Sequence, residues 1–496
     1  MTAPLRLFNS LTRELETFEP IHEDEARVYT CGPTVYNYPH IGNMRAYVFA
    51  DVLGRMLSWR RYKLTHVINI TDVGHLTDDA DAGEDKMEKM AAEKAQSIWD
   101  IAKHYTEAYW ADVKALNIRG PMKQGEPEAA HWSIATDYVP AMIEFAKSIA
   151  DKHCYELDSG LYFDVSTVAD YGRLARAQTE EGEGRIEAVE GKRNAADFAI
   201  WRKTPPGETR QMEWDSPWGR GAPGWHLECS VMSGQLLGFP FDIHTGGIDH
   251  REIHHPNEIA QNQAFCCTNG LDDPLNSGAK LWMHNNFLVE RSGKMSKSAG
   301  EFLRLQLLID KGYHPLAYRM MCLQAHYRSE LEFSWDGLGA ALTRLKRIVM
   351  AVERLKETAK AEPEEQPYSP PEGVAVQALK DFDAAMADDL NTPVALTKLE
   401  EVTTIKKCPA AVKLGFVEQM DSVLGLNLAG LTRADLRLRP KGATIGEAEI
   451  EDALVRRKAA RAEKDFARSD AIRDELSAQG VEVMDGDPLG WEWKLS

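Results

Sequence analysis

Four residues that lie far apart in the chain, Cys31, Cys229, His254 and Glu258, are of the types that bind zinc. Thiolate sulfur and imidazole nitrogen suit this ion, and a carboxylate can complete a set of four ligands. His254 and Glu258 are four residues apart, which places both on one face of a predicted helix. The alternative is that the cysteines are core thiols and that His254 is a surface histidine. If these residues bind a metal, only the folded chain could bring all four together.

Two further motifs could bind phosphate groups. His40-Ile41-Gly42-Asn43 lies between a predicted strand and a predicted helix, where free backbone N–H groups and the helix dipole favour phosphate. Lys294-Met295-Ser296-Lys297-Ser298 places two lysines in a predicted loop that could close on a polyphosphate, although a solvated basic loop would look similar. Together with the candidate metal ligands, the two motifs indicate a site that binds a nucleotide and a second substrate.

The elements around these residues alternate between strands and helices. Residues 27–31 are predicted to form a strand, 43–59 a helix and 63–70 the next strand, which is a βαβ unit with parallel strands. The order returns with a strand at 241–244 and a helix at 254–267. The sequence therefore predicts an α/β fold whose doubly wound parallel sheet is built from two sequence halves. Beyond Ser298 the pattern turns helical, with predicted helices at 338–355 and 374–387, and one helix-like stretch covers residues 454–478.

Composition limits the possible functions. The chain has 496 residues and a formal net charge of −19, so a nucleic-acid partner would have to meet local basic patches. One candidate is the segment 433–441, which could equally be a solvated linker. No stretch of about 18 apolar residues and no signal-like segment is present, so we expect a cytoplasmic protein without membrane contact. The seven cysteines contain no CxxC pair, which favours reduced thiols. Five of them are expected to be packing residues, namely Cys154, Cys266, Cys267, Cys322 and Cys408.

Taken in order, these motifs resemble those of the cysteinyl-tRNA synthetases, a family of class I aminoacyl-tRNA synthetases, and the similarity extends nearly from end to end. The matching stretches are Cys31-Gly32-Pro33-Thr34-Val35-Tyr36, His40 to Asn43, Asn69-Ile70-Thr71-Asp72, Asp197-Phe198-Ala199-Ile200-Trp201, Ser216-Pro217-Trp218-Gly219, Gly224 to Ser230, Phe241-Asp242-Ile243-His244, His254 to Gln261, Lys294 to Ser298, His326-Tyr327-Arg328-Ser329 and Asp388 to Pro393. So many matches in one order are not expected by chance.

The resemblance implies a role for each candidate residue. One Zn²⁺ per chain is bound by Cys31, Cys229, His254 and Glu258, and it recognises the sulfur of the substrate. Thr71 and Trp225 line the pocket for L-cysteine. His40, Asn43 and Lys297 are the catalytic residues, and ATP with its Mg²⁺ is bound by His40, Gly42, Asn43, Lys294 and Lys297. Two positions depart from the family pattern: Asn43 replaces the last histidine of the usual HIGH motif, and Pro256 replaces an acidic residue.

The implied reaction is the ATP-dependent activation of L-cysteine and its transfer to the 3′-terminal adenosine of tRNA(Cys), carried out by a monomer. Residues 1–119 and 225–290 are then the halves of the catalytic domain, and 120–224 are an inserted connective subdomain. Residues 291–337 form the KMSKS loop and stem region, 338–432 a tRNA-binding helical bundle, and 433–496 an anticodon-binding unit. The acidic stretch 77–96 has no assigned role and is expected to be a solvated loop and helix.

Two other functions fit part of the pattern. A ligase that joins cysteine to an amino sugar would need ATP and zinc but no anticodon-binding region. A zinc-stabilised binding protein would need no catalytic residues. The helical region from residue 338 onward disfavours the first, and the presence of His40 and Lys297 disfavours the second.

Overall fold

The computed structural model describes residues 3–73, 97–175, 190–289, 303–361 and 374–495. Its strands are β1 Arg6–Asn9, β2 Glu14–Thr17, β3 Glu25–Thr30, β4 Lys63–Ile70, β5 Met122–Lys123, β6 Ser133–Ile134, β7 Cys154–Leu157, β8 Gly160–Phe163, β9 Phe198–Lys203, β10 Gly221–Pro223, β11 Phe241–Gly247, β12 Ala279–Asn285, β13 Leu288–Val289, β14 Leu331–Glu332, β15 Val481–Val483 and β16 Trp491–Trp493. Its α-helices are α1 Ile41–Trp59, α2 Ile98–Ala115, α3 Val139–His153, α4 Trp225–Leu237, α5 His254–Cys266, α6 Leu305–Asp310, α7 Pro315–Leu323, α8 Trp335–Ala361, α9 Val374–Ala387, α10 Thr392–Thr404, α11 Ala410–Leu424, α12 Glu447–Ala462 and α13 Phe466–Ala478.

A mostly parallel sheet carries the residues of interest. Its strands lie in the order β12-β11-β3-β4-β5, and β6 pairs with the end of β4. Strands β12, β11, β3 and β4 are mutually parallel, whereas the short edge strand β5 is antiparallel. The predicted α/β fold with a parallel sheet is therefore confirmed.

Two βαβ units start from neighbouring strands and extend in opposite directions. The unit β3-α1-β4 moves toward one edge of the sheet, and the unit β11-α5-β12 moves toward the other. Ligands of doubly wound folds bind at such a switch point, outside the carboxyl ends of the strands. The ends of β3 and β11, at Thr30 and Gly247, therefore mark the expected position of a functional site.

Several element boundaries differ from the prediction. Strand β4 and helix α9 have the predicted bounds, but α1 begins at Ile41 rather than at residue 43 because His40 caps it. The predicted continuous helix over 454–478 is wrong. Lys464 has a φ of +61°, and the Asp465 side chain accepts a hydrogen bond from the Arg468 N–H, so that α12 ends and α13 begins there.

An antiparallel sheet of the order β10-β9-β8-β7 is built from residues 154–223, between the two halves of the central sheet. Helix α3 packs on it and also contacts α4 and α5. The sheet lies within residues 120–224, for which an inserted connective subdomain stays a prediction.

The C-terminal part contains a group of packed helices and a small end unit. Helices α8 to α11 pack together, and α12, α13 and the hairpin β15-β16 enclose a separate core around Ile450, Trp491 and Trp493. The basic segment 433–441 is not the free patch that the sequence suggested. Arg433 is buried and forms ion pairs with Asp487 and Glu492 of the end unit.

The cysteine expectations are partly wrong. Cys322 and Cys408 are buried and Cys154 is half-buried, but Cys266 and Cys267 are exposed because α5 ends there with Cys267 in a left-handed conformation. Among the described residues, no helix combines the length and the apolar character that a membrane span requires.

Candidate active site

A cavity of about 570 Å³ opens at the switch point, beside the carboxyl ends of β3 and β11. It brings together eight of the residues predicted from the sequence, which are Cys31, His40, Gly42, Asn43, Thr71, Trp225, Cys229 and His254. Glu258 is fully buried behind His254. Lys294 and Lys297 lie outside the described residues. One cavity therefore contains both the candidate metal ligands and the first phosphate motif.

The four predicted ligands come from three elements. Cys31 is the first residue after β3, and His254 and Glu258 lie on the first turns of α5. Cys229 lies within α4, and its sulfur faces that of Cys31. The helix places its thiol there because α4 packs against both β3 and α5.

The geometry of these four side chains fits a tetrahedral metal ion. Their ligand atoms all lie within 4.8 Å of one another. The Cys31 and Cys229 sulfur atoms are 3.8 Å apart, which is the edge of a tetrahedron with metal–sulfur bonds of about 2.3 Å. Glu258 Oε1 is 3.8 Å from the Cys31 sulfur and 3.0 Å from His254 Nε2. The donor set of two sulfurs, one nitrogen and one oxygen suits zinc.

The charges of these groups are strongly coupled. A hydrogen bond from Cys31 lowers the pKa of Cys229 to about 6, whereas burial raises the pKa of Cys31. Burial would raise the pKa of Glu258, but His244 and His254 outweigh it and lower this pKa to about 2. Burial would likewise lower the pKa of His254, but Glu258 and Cys229 raise it to about 10. Binding of a metal ion would therefore displace protons from Cys31 and His254.

Sequence reasoning missed a group of buried histidines around the ligands. His226 Nδ1 lies 2.9 Å from His254 Nδ1, and His244 Nε2 lies 2.9 Å from Glu258 Oε2. Such outer contacts orient ligand side chains and hold their tautomers. The missed signal was the concentration of histidines in one part of the chain, at positions 226, 244, 250, 254, 255 and 284.

A second group of side chains could also bind a metal ion. It contains Cys31 and Glu258 of the first set, together with His244 and His255. The His255 Nε2 atom lies 3.4 Å from the Cys31 sulfur. His244 and His255 do not line the cavity, whereas Cys31, Cys229 and His254 do. The first set is therefore the one that gives a bound ion access to a substrate.

The motif His40 to Asn43 forms a reciprocal cap at the start of α1. The His40 Nδ1 atom accepts a hydrogen bond from the Gly42 N–H at 3.0 Å, and Asn43 Oδ1 accepts one from the His40 N–H at 3.1 Å. The Ile41 N–H donates to the Leu303 carbonyl. The expectation of free backbone N–H groups here is therefore wrong, because the cap itself uses them. Burial lowers the pKa of His40, which favours its neutral form.

Thr71 and Trp225 stand on either side of the candidate ligands. The Trp225 ring is tilted against the His254 imidazole, with a centroid distance of 4.4 Å. Thr71 is buried, and its hydroxyl donates to Glu228 Oε2 at 2.8 Å. Asn69 Nδ2 donates to the same hydroxyl oxygen at 3.1 Å. Burial raises the pKa of Glu228. Asn69 and Glu228 were not among the predicted site residues.

The far wall of the cavity is fixed by Arg45, which sequence reasoning also missed. This arginine is buried on α1, and its guanidinium donates to the carbonyl oxygens of Asn286, Phe287, His326 and Ser329. It thereby connects the helix that carries the His40 motif to the backbone that leads into residues 290–302. Phe287 lines the cavity with a side chain that is 50% exposed.

Comparison with known proteins agrees with this geometry. The family model of the tRNA synthetases class I (C) catalytic domain matches residues 17–343. The cysteine–tRNA ligase of Novosphingobium aromaticivorans is 78% identical over 495 residues, which cover 100% of this chain and 98% of that protein. The cysteine–tRNA ligase of Zymomonas mobilis is 54% identical over 520 residues, which cover 99% of this chain and 98% of that protein.

Solved structures with low sequence identity share the fold. The methionyl-tRNA synthetase of Mycobacterium tuberculosis in complex with methionyl-adenylate has a TM-score of 0.52 at 13% identity, covering 83% of this chain and 91% of that chain. The leucyl-tRNA synthetase of Agrobacterium radiobacter has a TM-score of 0.53 at 12% identity, covering 94% and 95%. The full-length relatives and the catalytic-domain match place this chain in the cysteine–tRNA ligase family of the class I aminoacyl-tRNA synthetases.

Proposed function

We propose that this chain activates L-cysteine with ATP and transfers it to the 3′-terminal adenosine of tRNA(Cys). The observation that carries the proposal is the single cavity in which Cys31, Cys229 and His254 meet the His40 to Asn43 motif. One end of it suits a thiol substrate at a metal ion, and the other suits a nucleotide.

In the first step a carboxylate oxygen of cysteine attacks the α-phosphorus of ATP, cysteinyl-adenylate forms, and pyrophosphate leaves. Such a displacement needs positioned reactants and neutralised charge rather than a protein nucleophile. His40 and Asn43 would contact the phosphates, and Lys297, Lys294 and a Mg²⁺ carried by ATP would balance their charge. In the second step the 2′-hydroxyl of the terminal adenosine takes the acyl group, and AMP leaves.

The metal ligands explain the choice of amino acid. Shape alone distinguishes cysteine from serine by only about 1–3 kcal/mol. A zinc ion held by Cys31, Cys229, His254 and Glu258 would supply a bond to the substrate thiolate that a serine hydroxyl forms poorly. Trp225 and Thr71 would enclose the rest of the amino acid. The four ligands would thus serve selectivity as well as stability.

The remaining parts of the chain would hold the tRNA. Helices α8 to α11 and the end unit beyond residue 433 would reach the anticodon, whose unpaired bases suit aromatic and arginine side chains. We further propose that the chain acts as a monomer in the cytoplasm. The full-length coverage of the relatives favours a tRNA substrate over an amino sugar.

The test is cysteine-dependent exchange of pyrophosphate into ATP, followed by charging of a tRNA(Cys) transcript. We expect exchange with L-cysteine, none above background with L-serine, and charging of tRNA(Cys) but not of a tRNA with a different anticodon. Exchange without any charging would favour the amino-sugar ligase. The absence of exchange in the zinc-loaded protein would overturn the proposal.

A further inference from the structure

Glu228 is a buried carboxylate that the reaction described above does not use. It is fully buried on α4, next to the candidate ligand Cys229. Its Oε2 atom accepts the Thr71 hydroxyl, and its Oε1 atom has no hydrogen-bond partner among the described residues. Buried carboxylates are rarely left without a cation or a full set of donors. The position of Glu228 behind the cavity wall therefore calls for a function.

The hydrogen bonds around Thr71 have defined directions. The Gly32 N–H donates to Asn69 Oδ1 at 2.7 Å, which turns the Asn69 Nδ2 group toward the Thr71 hydroxyl. A Cβ atom at position 32 would lie 1.5 Å from the Asn69 carbonyl oxygen, so only glycine permits this approach. The backbone is fixed as well, because Thr71 N–H donates to Pro33 O and Val35 N–H donates to Thr71 O. The network therefore holds the hydroxyl in one orientation.

This arrangement decides what Thr71 can offer to a ligand. A hydroxyl group has one hydrogen to donate and two lone pairs that accept. Glu228 takes the hydrogen, and Asn69 occupies one lone pair. Thr71 lines the cavity, and its hydroxyl oxygen is left as an acceptor only. It can therefore bind an ammonium group, which only donates, but not a carboxylate, which only accepts.

We infer that Glu228, acting through Thr71, is the positioning residue for the α-ammonium group of the amino acid substrate. By holding the hydroxyl hydrogen, Glu228 presents a Thr71 lone pair to the ammonium. The substrate is thereby oriented with its sulfur toward Cys31 and Cys229 and its carboxylate toward the nucleotide end of the cavity. This inference rests on the proposed function, which supplies cysteine as the substrate.

The test uses three thiols that differ in whether they carry an ammonium group, a carboxylate or both. L-Cysteine has both charged groups, cysteamine has only the ammonium, and 3-mercaptopropionate has only the carboxylate. Their dissociation constants are measured by calorimetry on the zinc-loaded, full-length protein. In Glu228→Gln the amide can donate to Thr71 and reverse the hydrogen bond. We expect Glu228→Gln to raise the dissociation constants of L-cysteine and cysteamine by about tenfold or more. The dissociation constant of 3-mercaptopropionate should stay within about twofold of the wild-type value.

Further variants separate this role from a structural one. Thr71→Val should weaken the binding of cysteamine to the same extent, and Thr71→Ser should bind cysteamine as the wild type does. Asp242→Asn is the matched control, because Asp242 is a fully buried carboxylate that accepts from the N–H groups of Ile21 and Arg27, at the other end of β11. It should leave all three constants unchanged. The metal content of every variant is measured in parallel.

The outcomes are distinct. If Glu228→Gln binds all three thiols as well as the wild type, or weakens all three equally, the inference is wrong although the proposed function stands. If the wild-type protein binds none of the three thiols, the proposed function fails and this inference with it.

Discussion

Replacement of Arg45 by Met would loosen the contact between the start of α1 and the backbone on the far wall of the cavity. Arg45 itself does not line the cavity. The Arg45 guanidinium donates to Asn286 O at 2.8 Å and to Ser329 O at 2.6 Å, and it also binds the carbonyl oxygens of Phe287 and His326. Methionine fills a similar volume but donates no hydrogen bond. The variant therefore loosens the backbone that precedes residues 290–302 relative to the start of α1.

The size of the effect depends on the hydrogen-bond donors that each carbonyl oxygen retains after the substitution. After the substitution, Asn286 O still accepts from Asn285 Nδ2, and Phe287 O still accepts from Leu331 N–H. His326 O likewise keeps the Ser329 N–H. Because three of the four oxygens keep a second donor, we expect a loss of about 1 kcal/mol per bond, or about 4 kcal/mol in all. A displacement of about 1 Å at a distance from the chemistry can lower the rate by about 10²-fold.

The assay is pyrophosphate exchange at varied ATP, with cysteine binding measured separately by calorimetry. Arg45→Met should lower kcat/KM for ATP by about 10²-fold and change the dissociation constant of L-cysteine by less than about twofold. Arg319→Met is the matched control. Arg319 is equally buried and donates to Leu424 O, Leu116 O and Asp51, away from the cavity. It should destabilise the fold but lower kcat/KM for ATP by less than about threefold.

Two results would refute this reasoning. Arg45→Met could lose stability while kcat/KM for ATP stays at the wild-type value, which would make Arg45 purely structural. Alternatively, Arg319→Met could lower kcat/KM for ATP as much as Arg45→Met, which would show that any damage to the helix packing has this effect.

Two further predictions concern the metal and pH. Cys229→Ser should lose bound zinc and cysteine affinity together while the thermal unfolding transition remains cooperative; unfolding of the whole sheet would instead indicate a purely structural metal. Burial raises the pKa of Asp112 to about 7, so its folded form prefers the proton and the wild type loses stability as pH rises from about 4 through 7. Asp112→Asn should therefore have the same free energy of unfolding as the wild type at pH 4 and a higher one above pH 7. The upper limit of the difference is about 4 kcal/mol, and the partial exposure of Asp112 reduces it. Urea unfolding at both pH values checks this, and a difference that does not change with pH would contradict it.

The fold could be predicted where local patterns dominate. Strand β4 and helix α9 have the bounds that their apolar residues indicate, because periodic burial on one element is a local property. The break at Lys464 and Asp465 could not be predicted from periodicity. It depends on a cap and on the separate core that α12 and α13 form with the β15-β16 hairpin.

The candidate site could be predicted by residue type but not by its surroundings. Spacing indicated that His254 and Glu258 share a helix face, and this part of the pattern needs no tertiary information. The partners of these side chains, such as His226 and His244, come from other elements and depend on how α4, α5 and β11 pack. The direction of the Thr71 hydroxyl depends on contacts with three segments and is invisible in any single one.

Asn43 occupies the position of the last histidine in the usual HIGH motif, and the resemblance implies that it binds ATP. In the structure its Oδ1 atom accepts the His40 N–H, so the amide group is already oriented by the cap. An amide can accept at Oδ1 and still present its Nδ2 hydrogens to the cavity, whereas a histidine would need one particular tautomer to do both. Asparagine at this position therefore combines helix capping with a donor whose orientation does not depend on pH.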